Sequence, residues 1–220
     1  MPCTAKKSEA GQDQGKDGSY RYVDSVITTR ELIKIIRLLG IDFNVLEPEP
    51  SDTAFSMRSS SGNLFGVSGG HLEGLIRTVH FMMTGQELSP LKLMELRGLK
   101  GRKEARVKIG KMIFPVVAIN GLAQMKPLMD EIISGKNEFK IIEVMACPYG
   151  CINGGGQKLK PDEKNLKSRM KALYDVDDEE MIKVAHKNPI VNDLYDKFLG
   201  KPGNDRNREL LHVIRNTSKE

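Results

Sequence analysis

The residues of this 220-residue chain best suited to chemistry are its three cysteines. Cys147 and Cys151 lie in the run Glu143-Val144-Met145-Ala146-Cys147-Pro148-Tyr149-Gly150-Cys151-Ile152-Asn153-Gly154-Gly155-Gly156-Gln157, after an apolar, strand-like stretch and before three glycines. A metal needs thiolates on backbone that can wrap around it without Cβ clashes. Pro148 sets φ and Gly150 is free to take a positive one, so this loop meets that demand. The third cysteine, Cys3, sits in Met1-Pro2-Cys3-Thr4-Ala5-Lys6-Lys7-Ser8-Glu9, so every cysteine occupies a small-residue, Pro-flanked, polar turn. Gly154-Gly155-Gly156 lets the main chain approach something bulky and present N–H groups to it, as the sulfides of an iron–sulfur cluster or an anion require. Taken singly, the cysteine pair could be structural and the glycines a flexible loop. The pair's spacing is one residue longer than in common zinc knuckles. Soft thiolates without clustered carboxylates or a second histidine beside them suit an iron–sulfur cluster better than zinc or a hard cation. A 4Fe-4S cluster takes four ligands. With three cysteines, one ligand is missing from this chain or is not cysteine.

The surrounding pattern predicts the elements that position these loops. Residues 22–27 read as a short strand, Thr28-Thr29-Arg30-Glu31 as a helix start, and residues 31–39 as a helix closed by Gly40. Residues 41–46 look like a second strand. A Gly/Ser-rich approach, residues 59–70, leads into a helix over 71–83 whose start would offer free N–H groups to an anion. Strand character recurs at 91–96, 105–109, 112–119 and 139–144, with a helix over 122–133. The last strand delivers Met145 and Cys147. Helices over 163–173, 178–186 and 190–199 follow the glycines, the last entered through Asn188-Pro189. The expected class is α/β: a mixed or mainly parallel sheet flanked by helices, with the metal site at strand ends and glycine loops. The expected division is an α/β core over 1–157 carrying the motifs and a helical tail over 158–220.

Composition narrows the function. With 39% hydrophobic and 29% charged residues the chain reads as an ordinary globular protein, long enough to bury a sizeable core. No apolar stretch approaches the roughly 20 residues of a membrane span, and no signal-peptide core follows the start. The net charge is +5, yet the lysines are scattered among acids and aromatic residues make up only 5%. This describes a solvated surface with no nucleic-acid partner. A basic face of this kind could steer an acidic electron carrier. An odd cysteine count in a lysine-rich chain argues against a secreted disulfide scaffold and for a reducing, cytoplasmic setting.

These motifs resemble those of the iron-only, di-iron hydrogenases over essentially the whole chain. Met1 to Glu9 is similar to the family's second signature, Pro-Cys-x-x-Lys with a Glu three residues on. Glu143 to Gln157 is similar to the third, and Phe65-Gly66-Val67-Ser68-Gly69-Gly70-His71-Leu72-Glu73 to the segment between them. Ala172-Leu173-Tyr174, His186-Lys187-Asn188-Pro189 and Leu210-Leu211-His212 extend the likeness through the tail. The resemblance implies that Cys3, Cys147 and Cys151 hold a 4Fe-4S cubane. Cys151 would also bridge it to a di-iron subcluster carrying CO, cyanide and dithiolate ligands. It implies that Lys6 donates to a cyanide, that Met1 and Met145 line the di-iron pocket, that Phe65 walls it, and that Gly155 and Gly156 approach the cofactor.

The chain departs from the family pattern in informative places. The first signature, a Thr-Ser-Cys stretch giving the fourth cubane ligand and a proton-shuttling cysteine, lies upstream of any residue here. His71 stands where an aliphatic residue is usual, Tyr149 replaces a Gly, and Lys158 a Pro. The resemblance therefore implies the C-terminal half of a hydrogenase catalytic domain, interconverting H2 with protons and electrons. A missing N-terminal half and ferredoxin or a similar carrier would be its partners. The alternative is a non-catalytic relative, either an iron–sulfur assembly factor or a sensory protein. His71 and Glu73 read as helix-start residues, a hydrogen bonder and a structural acid.

Overall fold

A computed structural model describes residues 2–12, 21–49, 57–157 and 162–211. In chain order its elements are helices α1 (Ala5–Gln12), α2 (Thr29–Leu38), α3 (Ser60–Asn63) and α4 (Gly70–Thr84), then strands β1 (Arg102–Ile109) and β2 (Met112–Asn120). Helix α5 (Met125–Ile133), strand β3 (Ile141–Met145), and helices α6 (Glu163–Glu179), α7 (Pro189–Leu194) and α8 (Asp205–Leu211) complete them. The sheet is mixed, in the order β1-β2-β3. β1 and β2 form an antiparallel hairpin whose two-residue turn uses Gly110 at φ 60°, and β3 runs parallel to β2 with Asn120 opposite Met145. The fold is α/β, as the sequence predicts.

Periodicity decides which faces are covered. In β1, Lys103, Ala105, Val107 and Ile109 are buried while Glu104, Arg106 and Lys108 face solvent, the alternation of a strand with one wet face. In β2 every residue from Pro115 to Asn120 is buried, which puts it at the centre of the sheet. Leu72 and Ile76 of α4 pack on Val107, Ile109, Val116 and Ala118. On the other face Leu128 of α5 packs on Val117 and Ile119. A third cluster, Val67, Ile152 and Leu166, ties α6 to the loop after β3.

An ion network locks α4 to α6. The Arg77 guanidinium donates to Glu73 at 2.6 Å and to both oxygens of Asp177 at 2.8 Å. Arg97 donates to Glu73 at 2.7 Å and to Asp177 at 2.9 Å, and the Ser60 hydroxyl donates to Asp177 at 2.6 Å. Burial alone would raise the Asp177 carboxyl, but Arg77, Ser60 and Arg97 outweigh it and hold the group well below the usual carboxylate range. Glu73 is thus a structural acid, as its sequence position suggests.

Several expectations give way. Residues 22–27 and 41–46 are not strands: among the described residues the sheet consists of β1, β2 and β3, and these two segments run as bends, turns and irregular chain outside it. Residues 91–96 end in a 3-10 turn over Met94–Leu96. The helix placed at 178–186 is instead the end of α6, then irregular chain over 180–184 and a 3-10 turn over Ala185–Lys187; the Lys183 ammonium donates to the Asp177 and Asp178 carbonyls at 2.6 and 2.7 Å and closes the end of α6. The helix expected over 190–199 stops at Leu194, and a wider π turn follows over Tyr195–Leu199. Helix α2 forms with a full capping box between Thr28 and Glu31, yet none of its residues is buried, and Leu32, Ile33, Ile35 and Leu38 are exposed. No helix among the described residues is long and apolar enough to cross a membrane.

Candidate metal centre

β3 carries the chain to the site. Its Glu143 points inward and accepts the N–H groups of Gly69 at 2.5 Å and Leu72 at 2.9 Å. This corrects one expectation: the start of α4 does attract an anion, and that anion is the protein's own carboxylate. β3 therefore sets the position of α4 directly. Met145, two residues on, is buried, with its sulfur against Gly150.

The Cys147–Cys151 loop is held by its main chain. The Gly150 N–H donates to the Cys147 carbonyl at 3.1 Å, and the Gly154 N–H to the Cys151 carbonyl at 2.9 Å. Asn120, at the end of β2, accepts the Tyr149 N–H at 2.6 Å. Tyr149 has a φ of 66°, the left-handed region that favours glycine, so the residue that departs from the family pattern adopts a conformation costing about 1 kcal/mol or more. Arg169 of α6 donates to the Ile152 carbonyl at 2.9 Å and fixes the far side of the loop.

The glycines bring the N-terminal cysteine to the same place. A Cβ on Gly154 would lie 2.2 Å from the Pro2 carbonyl oxygen, and one on Gly155 2.8 Å from the Thr4 hydroxyl. The Gly156 N–H donates to the Pro2 carbonyl at 2.8 Å. The bulky group that these glycines admit is thus the Pro2–Thr4 segment, with Cys3 at its centre. Arg30 of α2 clamps the outer side, its guanidinium donating to the Gly155 carbonyl at 2.9 Å and its N–H to the Gly156 carbonyl at 3.1 Å. Burial pushes the Cys151 thiol up, and charge on Cys147 and on Cys3 pushes it further, while Lys6 opposes them. That mutual influence gathers Cys3, Cys147, Cys151 and Lys6 into one electrostatic neighbourhood. The Lys6 ammonium is paired with Glu9 at 2.5 Å, and that bond raises it above its ordinary range.

The other expected residues fall around this centre. Phe65 is 43% exposed and its ring stacks on His71 with centroids 4.0 Å apart. His71 therefore has an aromatic partner as well as a place in the first turn of α4. Met1 and Lys158 lie outside the described residues. Asn120, Lys103 and Arg30 are positioning residues that the motifs do not flag. Lys103 is buried beneath the site and donates to the Gly98 carbonyl at 3.1 Å and to the Ser68 carbonyl; burial pushes its ammonium down to about 8, against Glu143 and Glu73. One signal was available for it, a lysine in phase with the buried residues of an alternating strand.

A family model described as the iron only hydrogenase large subunit, C-terminal domain, matches residues 1–155, and one for the iron hydrogenase small subunit matches residues 163–214. The chain belongs to the iron-only hydrogenase family. It is 39% identical over 214 residues to the NADP-reducing hydrogenase subunit HndD of Solidesulfovibrio fructosivorans, covering 97% of this chain and 36% of that one. It is also 32% identical to cytosolic iron-sulfur assembly component 3 of Bos taurus, covering 97% of this chain and 46% of that one. Among solved structures, a variant of the FeFe-hydrogenase HydA1 from Chlamydomonas reinhardtii superposes with a TM-score of 0.78 at 32% identity, covering 96% of this chain and 60% of that one. The chain thus spans less than half the length of these two curated relatives.

An iron-only hydrogenase domain implies iron–sulfur clusters, and the residues present can be tested for fit. Among the described residues no three His, Cys, Asp or Glu side chains are close enough to hold a single metal ion. The donor chemistry nonetheless suits a cluster, which spreads its ligands more widely: three soft thiols, all half-buried, on two loops that the close contacts of Gly154 and Gly155 with Pro2 and Thr4 hold against each other. The set fits, one ligand short.

Proposed function

We propose that this chain forms part of an iron hydrogenase that interconverts H2 with protons and electrons. The observation that carries this is the convergence of Cys3 on the Cys147–Cys151 loop through the Pro2 to Gly154–Gly156 contact. In this reading Cys3, Cys147 and Cys151 hold a 4Fe-4S cubane, and Cys151 also bridges to a di-iron subcluster with CO, cyanide and dithiolate ligands. When bound, that group supplies reversible electron transfer and an open iron position for H2.

The chain's own residues do the rest. Met145 and Phe65 give the pocket soft and aromatic walls that exclude water. Lys6, released from Glu9, donates to a cyanide ligand. Gly155 and Gly156 keep the main chain close, and Asn120 and Arg30 hold the two loops in register. The fourth cubane ligand and the proton path come from polypeptide outside these 220 residues, which the relatives' greater length supports. Ferredoxin or a similar acidic carrier in the cytoplasm would exchange electrons with the basic surface. Residues 1–157 would form the cluster-binding core and 158–220 a helical tail.

A second reading rests on the relative named as an iron–sulfur assembly component, at 32% identity. In it the cubane ligands remain and there is no di-iron chemistry. One assay separates the two. The chain is co-expressed with the part of the Solidesulfovibrio relative outside the matched stretch, loaded with iron and sulfide, and supplied with a di-iron precursor. H2 evolution from reduced viologen, abolished by Cys151→Ser, is the expected result. Full iron loading with no H2 supports the assembly reading.

A further inference from the structure

Two of the three histidines among the described residues have ring nitrogens engaged. His80 Nδ1 lies 2.9 Å from the Gln86 carbonyl oxygen. His186 stacks on Phe81 with ring centroids 4.3 Å apart, and its two nitrogens meet the Thr78 hydroxyl at 3.4 Å and the Glu87 carboxylate at 3.2 Å. His71 stacks on Phe65 in a similar way, with centroids 4.0 Å apart and planes 18° from parallel. Among the described residues, however, neither of its ring nitrogens has a hydrogen-bond partner. A stack covers the faces of an imidazole and leaves its edge, where both nitrogens lie, free. The role of helix-start hydrogen bonder is therefore not what His71 performs. It is exposed in the first turn of α4, and the N–H groups of Gly69 and Leu72 go to Glu143.

Its position gives the free ring a use. In the hydrogenase reading Phe65 and Met145 wall the cofactor pocket, and His71 adjoins both. Its ring lies on that of Phe65, which α4 also holds from Gly74, where a Cβ would stand 3.3 Å from the Phe65 ring. His71 further shares one concavity of about 270 Å³ with Leu72, Leu75 and Met145. The other titratable group lining that space is Glu143, and both of its oxygens are taken by backbone N–H groups. Glu73 and Arg77, on the same helix, are committed to the network around Asp177, and the 60–69 segment that carries Phe65 has no charged residue. Lys6, the cation of the cysteine neighbourhood, is held by Glu9. Among the described residues His71 is thus the one titratable side chain at this wall with a nitrogen to spare.

We propose that His71 is a proton carrier of the cofactor pocket, which in H2 oxidation takes up a released proton on one ring nitrogen and gives up the proton of the other to water. The inference rests on the reading of the chain as part of a hydrogenase. The step balances: splitting H2 yields two protons and two electrons, the electrons leave through the cubane, and the imidazole gains one proton and loses one, changing only its tautomer. H2 evolution runs the same transfer backwards. Histidine suits the task because its charge change ordinarily falls nearest neutrality and because its two nitrogens are distinct sites. The aliphatic residue usual at this position in the family has neither property. The stack on Phe65 keeps the ring at the wall without occupying either nitrogen.

The test uses the full 220-residue chain in complex with the polypeptide of the Solidesulfovibrio relative outside the matched stretch, loaded with iron, sulfide and a di-iron precursor. The parent is compared with His71→Phe, which keeps an aromatic ring against Phe65 and removes the nitrogens, and with His71→Leu. The first readout is the infrared spectrum of the CO and cyanide ligands as pH is varied between about 5 and 8. The proposal predicts a pH-dependent shift of these bands in the parent that is absent from both variants, whose iron content and melting temperature stay those of the parent because the side chain is exposed. The second readout is H2 evolution from reduced viologen, expected to be at least tenfold slower in both variants. Added imidazole restores the rate of His71→Leu, whose smaller side chain leaves room for it, and does not restore that of His71→Phe. Parental bands and rate in His71→Phe overturn the proposal and leave the ring as a packing partner of Phe65. A slow His71→Leu that imidazole does not rescue and whose bands still follow pH overturns it as well. A loaded complex without CO and cyanide bands rejects the hydrogenase reading and this proposal with it, whereas parental bands and rates in every variant reject this proposal alone.

Discussion

Asp177→Ala is expected to destabilise the folded chain by about 3–5 kcal/mol, the usual cost of removing one partner from a buried ion pair. The carboxylate, 1% exposed, is the point where α3, α4, the segment at Arg97 and α6 meet. Without it Arg77 and Arg97 share one carboxylate, Glu73, and the Ser60 hydroxyl loses its acceptor. Two guanidinium groups would then be buried with half of their counter-charge. Urea unfolding measures the effect, and a loss under 1 kcal/mol would mean that the network is not built as described. The pH dependence has a definite sign. Because the folded carboxyl titrates below its unfolded value, its contribution is complete above the ordinary carboxylate range and disappears as the solution is acidified through the lower, folded value. Asp177→Asn should flatten that part of the acid-unfolding profile.

Gly154→Ala is expected to cost the cluster while leaving the sheet intact. The backbone at Gly154 has φ −63° and ψ 157°, a conformation any residue adopts, so the added methyl acts by contact alone. Its Cβ would stand 2.2 Å from the Pro2 carbonyl oxygen and 3.2 Å from that of Cys151, and both neighbours are main chain that cannot rotate away. The Pro2–Thr4 segment must therefore retreat, taking Cys3 with it. Iron retained after reconstitution should fall at least tenfold, with a stability loss of about 1–3 kcal/mol, typical of an overpacked contact. Iron content and thermal melting of the same preparation decide it. Iron loading equal to the parent's would show that the glycine serves only the loop.

Much of this arrangement was legible in the residues. The strand run into Cys147 and the helix over α4 follow from local pattern, and the mixed sheet follows from strands alternating with helices. The cysteine loops could be read as a metal site because thiols, proline and glycine are rare in that combination. Pairing could not be read. Residues 22–27 have strand composition, but a strand is defined by its neighbour. The partner of the α4 start was likewise hidden, since a glutamate 74 positions from Gly69 gives no local signal that it will turn inward and cap a helix. The role of Gly154–Gly156 was half visible: close approach was evident, and what approaches was not.

The central claim is that Cys3, Cys147 and Cys151 serve one inorganic core. Electron paramagnetic resonance of the reduced complex, reconstituted with iron and sulfide, tests it most directly when the parent is compared with Cys3→Ser. The account predicts a 4Fe-4S signal in the parent that is lost or converted to a three-iron form in Cys3→Ser. An unchanged signal in Cys3→Ser would contradict it.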